Sequence, residues 1–254
     1  MAAVTSPEVC LVVGANRGIG LALVKSLLAT GDVKRVIATH RPGAVLHELT
    51  ELSGRYPGKL DLQALDFETK DSLEAFSGYL ARQEHPVDLA IHAAGILHEG
   101  NVEPEKSFVH CDTGNLRRIF EVNSIGPLMV AQALLKAQPR KHAFTFAALS
   151  AMVGSIGDNR LGGWYGYRAS KSALNQFIKT LSIECSNRYP NASIVAIHPG
   201  TTDTDLSRPF QRGVKPGKLY TPDQTASRIL SVLHSLGPDD SGRFLNWDAG
   251  QIPW

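Results

Sequence analysis

Tyr167 and Lys171 stand four residues apart in the stretch Trp164-Tyr-Gly-Tyr-Arg-Ala-Ser-Lys171. On a helix that spacing stacks a phenol and an ammonium on one face. A free tyrosine titrates near ~10 and moves protons poorly at neutral pH, so a fixed cation beside Tyr167 is expected to lower its pKa and make it a general acid or base. Ordinary solvated helix faces carry the same pair, and its meaning depends on what surrounds it. A second set of residues upstream, Gly14-Ala-Asn-Arg-Gly18-Ile-Gly20, suits a pyrophosphate. Glycines let the backbone approach phosphate oxygens, and a helix that starts there offers N–H groups and a positive dipole end. The spacing G-x-x-x-G-x-G is not the G-x-G-x-x-G fingerprint; a strand before the turn and a helix after it supply the context that makes it a nucleotide site.

The elements that must position these groups follow from the hydrophobic pattern. Short apolar, β-branched runs at 9–13, 35–39, 60–65, 87–93, 143–149, 193–198 and 243–247 read as seven strands. Most are apolar at successive positions without clean alternation, as expected of parallel strands covered on both faces. Helical patterns at 18–29, 44–53, 69–83, 113–136, 165–188 and 222–236 lie between them. Alternating β and α with right-handed crossovers gives an α/β fold, a doubly wound parallel sheet with helices on both faces, and places ligands beyond the carboxyl ends of the strands. The two long connections, 96–112 and 199–221, are expected on that ligand side.

The chain has 254 residues, enough for one sizeable core, and reads as a single domain over 1–254. A net charge of +2 without a Lys/Arg cluster carries no electrostatic footprint for nucleic acid or an anionic membrane. Cys10, Cys111 and Cys185 are far apart and form no C-x-x-C pair, which argues against a disulfide framework or a zinc site and marks them as packing residues in a reducing compartment. No metal is expected. The apolar run 9–13 is too short for a membrane span or a signal h-region and follows no basic n-region, so the expected location is cytoplasmic. Asn191-Ala-Ser193 is then a sequon in form only.

After the second expected strand the sequence reads His40-Arg41-Pro42. An NAD site usually presents a carboxylate to the adenosine ribose there. None stands at this point, whereas Arg41, with Arg17 inside the glycine turn, offers two guanidinium forks to a 2′-phosphate; the expected cofactor is NADP(H).

Taken with Tyr167 and Lys171, these features resemble the short-chain dehydrogenase/reductase family in its compact, single-domain Rossmann-fold form, over nearly the whole chain. The resemblance implies cofactor contacts from Gly14, Asn16, Arg17, Gly18, Ile19 and Gly20 in the turn, from Asp66 and Phe67 after the third strand, with Asp66 at the adenine, and from Ala93-Ala94-Gly95 after the fourth. His92 and Ala93 stand where that family's Asn-Asn-Ala-Gly motif has its asparagines, so the bonds those amides make must be replaced or missing; His92 reads as a strand-end histidine before it reads as a catalyst. Asn123 resembles the helix asparagine that supports the lysine through a water in a proton relay. Ser150, at the end of the fifth strand, resembles the catalytic serine, with Ser155 a competitor in the same loop. Pro199, Gly200, Thr202 and Thr204 resemble the loop that holds the nicotinamide end, where Asn123, Tyr167 and Lys171 would also lie. Each residue alone has an ordinary role as cap, turn or helix-interior polar group; their joint order along the chain is what is informative.

The resemblance implies reversible hydride transfer between nicotinamide and a carbonyl or secondary alcohol, with Tyr167 moving the proton, Ser150 bonding the oxygen, Lys171 lowering the Tyr167 pKa and binding the ribose, and Asn123 linking Lys171 to solvent. The segment 154–175 and the ending Ile252-Pro-Trp254 resemble the branch of C-factor proteins and sniffer-type carbonyl reductases. Part of that branch is known through signalling, which leaves a non-catalytic NADP(H)-binding regulator as the alternative; the chain is short for an epimerase or dehydratase of the extended kind. Loops 96–112, 154–163 and 205–220 are expected to line the pocket of a small carbonyl or alcohol, and the helices at 113–136 and 165–188 imply, by resemblance, a homodimer or homotetramer.

Overall fold

A computed structural model of the chain describes residues 6–254; residues 1–5, where the expected domain begins, lie outside the described residues. In chain order the strands are β1 (Val9–Val13), β2 (Arg35–His40), β3 (Leu60–Ala64), β4 (Leu89–His92), β5 (Phe144–Leu149), β6 (Ala192–His198), β7 (Thr201–Thr202), β8 (Leu219–Tyr220) and β9 (Phe244–Asn246). Seven of them form one parallel sheet in the order β3-β2-β1-β4-β5-β6-β9. The chain runs outward from β1 to β3 and then returns to place β4 on the other side of β1, which opens a crevice at their carboxyl ends.

The helices are α1 (Gly18–Ala29), α2 (His47–Arg55), α3 (Lys70–Ala81), α4 (Thr113–Phe120), α5 (Gly126–Ala137), α6 (Tyr165–Arg188) and α7 (Pro222–Ser235). One face of the sheet packs under α1, α2 and α7 through Leu23, Leu27, Leu49, Ile229 and Leu233. The other packs under α3, α5 and α6 through Phe76, Leu80, Val130, Leu134, Leu174 and Ile178. Burial on both faces explains the unbroken apolar runs, at about 1.5–3 kcal/mol for each large side chain removed from water. β3 is the exception: as an edge strand it leaves Asp61, Leu62 and Gln63 half-exposed.

Three expectations need correction. The helix expected from residue 44 starts at His47, because Ala44 N–H closes a turn onto Arg41 O at 3.1 Å. The helix expected over 113–136 is interrupted by a π turn at Glu121–Ile125, which turns Val122, Asn123 and Ser124 inward; such turns cluster at functional sites. Within the long connection at 199–221, β7 pairs with β8 and Arg208–Gly213 forms a 3-10 segment. Cys10 and Cys185 are buried as packing residues, their thiols pushed up to about 12 and about 11 by burial, but Cys111 is exposed. Among the described residues no helix is long and apolar enough to cross a membrane.

Candidate active site

The glycine turn between β1 and α1 is set by close approach. Gly14 has φ +79°, and a Cβ there would lie 2.7 Å from the Ala94 backbone; at Gly20 it would lie 2.0 Å from Gly14 O. The first turn of α1 has neither a side-chain cap nor an acidic residue, so its N–H groups are left for a ligand. In front of them a cleft of about 920 Å³ runs along the carboxyl ends of the strands. Gly14, Asn16, Arg17, Gly18, Ile19 and Gly20 line one wall, Arg41 follows from β2, and Asp66 and Phe67 follow from the end of β3. Ala93, Ala94 and Gly95 come from the end of β4, and Thr204 from beyond β7.

Both arginines expected to read a 2′-phosphate stand in this cleft, each held by a carboxylate. Arg17 pairs with Asp205 at 3.2 Å and Arg41 with Glu99 at 2.6 Å. Glu99 also pairs with Arg118 at 2.9 Å, and Arg118 reaches Glu68 at 2.7 Å. Burial pushes the Glu99 carboxyl up, but the Arg118 and Arg41 guanidinium groups more than reverse this and hold it below the ordinary carboxylate range. Glu99 and Arg118 were not among the residues expected from the sequence, and no local pattern marks them.

Asn123, Ser150, Tyr167 and Lys171 do not line the cleft; all four are buried beneath its inner end. Lys171 Nζ donates to Leu149 O at 2.8 Å and lies 5.9 Å from the Tyr167 ring centroid. Burial lowers the Lys171 pKa to about 8 and raises that of Tyr167 to about 12. The depression of the phenol expected from its neighbour is therefore absent: the ammonium is turned to a carbonyl, and desolvation of the phenolate dominates.

Ser150 follows β5 directly and its hydroxyl donates to Asn175 Oδ1 at 2.7 Å, so it is not turned toward Tyr167. Asn175, one helical turn beyond Lys171, also donates to Gly154 O at 3.2 Å; it is a site residue that the i, i+4 spacing from Lys171 could have shown. Ser155 is spent on its own loop, accepting from Asp158 N–H at 3.2 Å and donating to the Trp254 carbonyl at 3.4 Å. The ending Ile252-Pro-Trp254 thus ties the loop after β5 to β9, where Trp254 stacks on Phe244 at 5.6 Å.

Asn123 Oδ1 and Lys171 Nζ both stand beside Gly95, where a Cβ would lie 3.3 Å from the first and 3.5 Å from the second, without a direct bond between them. Asn123 Nδ2 donates to Ile96 O at 2.8 Å and to Ser170 Oγ at 3.1 Å, and its Oδ1 accepts from Ile96 N–H at 2.8 Å. The amide thereby pins the segment after β4. His92 is buried against Phe67, with ring centroids 5.4 Å apart, and burial together with the charge of Lys171 lowers its pKa to about 3, so it is a neutral strand-end residue.

Pro199, Gly200 and Thr202 do not line the cleft. Gly200, at φ +79°, meets Trp247 and Tyr220, whose rings flank the Arg228 guanidinium at 4.4 and 3.8 Å. Thr202 Oγ1 shares a 2.8 Å hydrogen bond with Thr225 Oγ1. The two long loops meet beside Tyr167. Trp164 lies 6.2 Å from the Tyr167 ring and 4.9 Å from that of Phe210, and His98 Nε2 contacts Asp205 O at 3.0 Å.

Residues 8–215 match the sequence model of the family described as short chain dehydrogenase. Over 246 residues, 96% of this chain and 98% of the relative, the chain is 30% identical to 1-hydroxy-2-glutathionyl-2-methyl-3-butene dehydrogenase of Rhodococcus sp. (strain AD45). The fold superimposes on the NADPH-bound carbonyl reductase from chicken fatty liver with a TM-score of 0.84, at 28% identity and covering 97% of this chain and 94% of that one. It superimposes on the carbonyl reductase Sniffer of D. melanogaster with a TM-score of 0.82, at 25% identity and covering 97% and 99%. A glycine turn that cradles a helix N-terminus, a buried tyrosine and lysine one helical turn apart, and a match spanning most of the sequence have one explanation: this chain belongs to the short chain dehydrogenase family.

Proposed function

We propose that the protein is an NADPH-dependent carbonyl reductase. The observation that carries this reading is the pairing of Tyr167 with Lys171, both buried, at the inner end of a cleft whose glycine turn leaves a helix N-terminus free. Two of the similar structures are named as carbonyl reductases and one of them as NADPH-bound. The uncapped N-terminus of α1, reached through the glycine turn in the cleft wall, fits the pyrophosphate of a dinucleotide, with Arg17 and Arg41 to hold its 2′-phosphate and Asp66 its adenine. When bound, NADPH supplies the hydride.

The chain's own residues handle the oxygen. Tyr167 keeps its proton at neutral pH and donates it from Oη to the carbonyl oxygen, as a general acid. Ser150 Oγ turns from Asn175 to the same oxygen and stabilises its developing charge. Lys171, freed from Leu149 O, stabilises the phenolate left behind. Loops 96–112 and 199–221 exclude water around this transfer.

Coenzyme preference tests the assignment of NADPH. Replacing Arg17 and Arg41 together by alanine lowers kcat/KM for NADPH by about tenfold or more, since each charge-assisted bond is worth about 1.5–3 kcal/mol, while that for NADH stays within about twofold. Equal losses for both coenzymes in steady-state kinetics contradict it. A second reading, an NADP(H)-binding regulator without turnover, is favoured by the contact of Trp164 with Phe210, which helps leave Tyr167 only 8% exposed. NADPH that binds tightly but is oxidised by no carbonyl would support that reading.

A further inference from the structure

Glu105 is a carboxylate with 4% exposure in the loop after β4, and its Oε1 has no hydrogen-bond partner. A buried carboxylate with unmet acceptors destabilises the fold unless a fixed dipole compensates it. The dipole is that of α6. Trp164, the residue before this helix, provides no side-chain cap, and Glu105 Oε2 instead accepts the N–H of Gly166 at 3.1 Å, across 61 positions of sequence. A carboxylate at a helix N-terminus satisfies an orphan donor and is favoured by the macrodipole.

The same residue holds a second, strained feature. Trp164 sits in the left-handed region at φ 53°, ψ 45°, a conformation that is strained for a non-glycine residue. Its N–H is donated to the Glu105 carbonyl at 2.6 Å. Gly166 completes the fit: a Cβ there would lie 2.9 Å from Glu105 Oε1 and 3.0 Å from both Leu116 and Ile119, so only glycine lets α6 come this close. The next residue is Tyr167, and the Trp164 ring covers it from the Phe210 side.

We propose that Glu105 is the positioning residue for Tyr167, its carboxylate and carbonyl together fixing the first turn of α6 and the left-handed Trp164. The proton donor is thereby fastened to the loop at 96–112, which is one of those expected to line the substrate pocket, so that loop and phenol move as one unit. This rests on the reading of Tyr167 as proton donor.

Three variants of the full-length protein test it: E105A, E105D and E105Q. E105A removes both acceptors of the carboxylate, whereas E105Q keeps one oxygen for Gly166 N–H. Expected for E105A is a fall in kcat of about thirtyfold or more with the Kd for NADPH within about twofold, and amide exchange at Gly166 and Tyr167 faster by at least about tenfold while the sheet is unchanged. E105Q returns both readouts to within about threefold of wild type. If E105A does not fold, E105D, whose shorter side chain withdraws from Gly166, carries the same expectation. Wild-type kcat in the folded alanine or aspartate variant, equal losses in kcat and NADPH affinity, or a glutamine variant no better than alanine would overturn the proposal. Wild-type protein that reduces no carbonyl would overturn the reading of Tyr167, and the exchange rates at Gly166 and Tyr167 would still decide the role of Glu105.

Discussion

Tyr167→Phe lowers turnover of a carbonyl substrate by about 10³-fold and leaves the Kd for NADPH within about twofold of wild type. The ring is buried and packs edge-on against Trp164, so phenylalanine keeps the packing and removes only Oη. Loss of a positioned general acid typically costs about 10²–10⁴-fold. Binding is spared because Tyr167 does not line the cleft in which Arg17, Arg41 and Asp66 stand. Steady-state NADPH oxidation gives kcat, and fluorescence titration gives Kd. A variant with turnover near wild type would remove Tyr167 from the chemistry; a variant with affinity and turnover equally reduced would make it a binding residue.

Lys171→Met abolishes most turnover, by about 10²-fold or more, without lowering the melting temperature. Burial brings the lysine from its ordinary 10.5 to about 8. At about 1.4 kcal/mol per pKa unit, keeping it charged at neutral pH costs the fold about 3 kcal/mol. Its one hydrogen bond, to Leu149 O, returns an amount of similar size. Methionine fills the space and relieves the desolvation, and the site, not the fold, is what suffers. The sign of the pH dependence follows from the same group. Because the folded pKa lies below the unfolded one, the folded state binds fewer protons between about 8 and 10.5, and wild-type stability gains from this group as pH rises through that window. Activity moves the other way: carbonyl reduction is flat below about 8 and falls above it, as the ammonium that stabilises the phenolate is lost. In Lys171→Met both slopes disappear. Thermal unfolding from neutral pH to pH 10 and a kcat profile over the same range check the two together.

The parts of the site that were legible in the sequence are those that a local geometric demand writes into residue type. Gly14 and Gly20 are glycine because the backbone of Ala94 and the carbonyl of Gly14 occupy the place of a Cβ. Tyr167 and Lys171 are legible because one helical turn separates them, and the seven strands because both faces of the sheet are covered. The unread parts depend on contacts between distant segments. Glu105 meets Gly166 across 61 positions, Glu99 meets Arg41 across 58, and Ser150 meets Asn175 across 25. No periodicity records such pairs.

One misreading has a physical cause of the same kind. The phenol was expected to be acidified by its neighbour, yet helical spacing says nothing about which carbonyl the ammonium will choose; Leu149 O takes it, and burial alone then sets the Tyr167 pKa. The buried, protonated phenol that results suits proton donation, and therefore the reductive direction.

The most direct test of that account is a single turnover with NADPH deuterated at the transferring position of the nicotinamide, followed by stopped flow and mass analysis of the product. The account predicts a primary isotope effect of about twofold or more on the burst, deuterium on the carbinol carbon of the alcohol formed, and no burst in Tyr167→Phe. Tight binding of the labelled cofactor with no deuterium transferred to any carbonyl would contradict it.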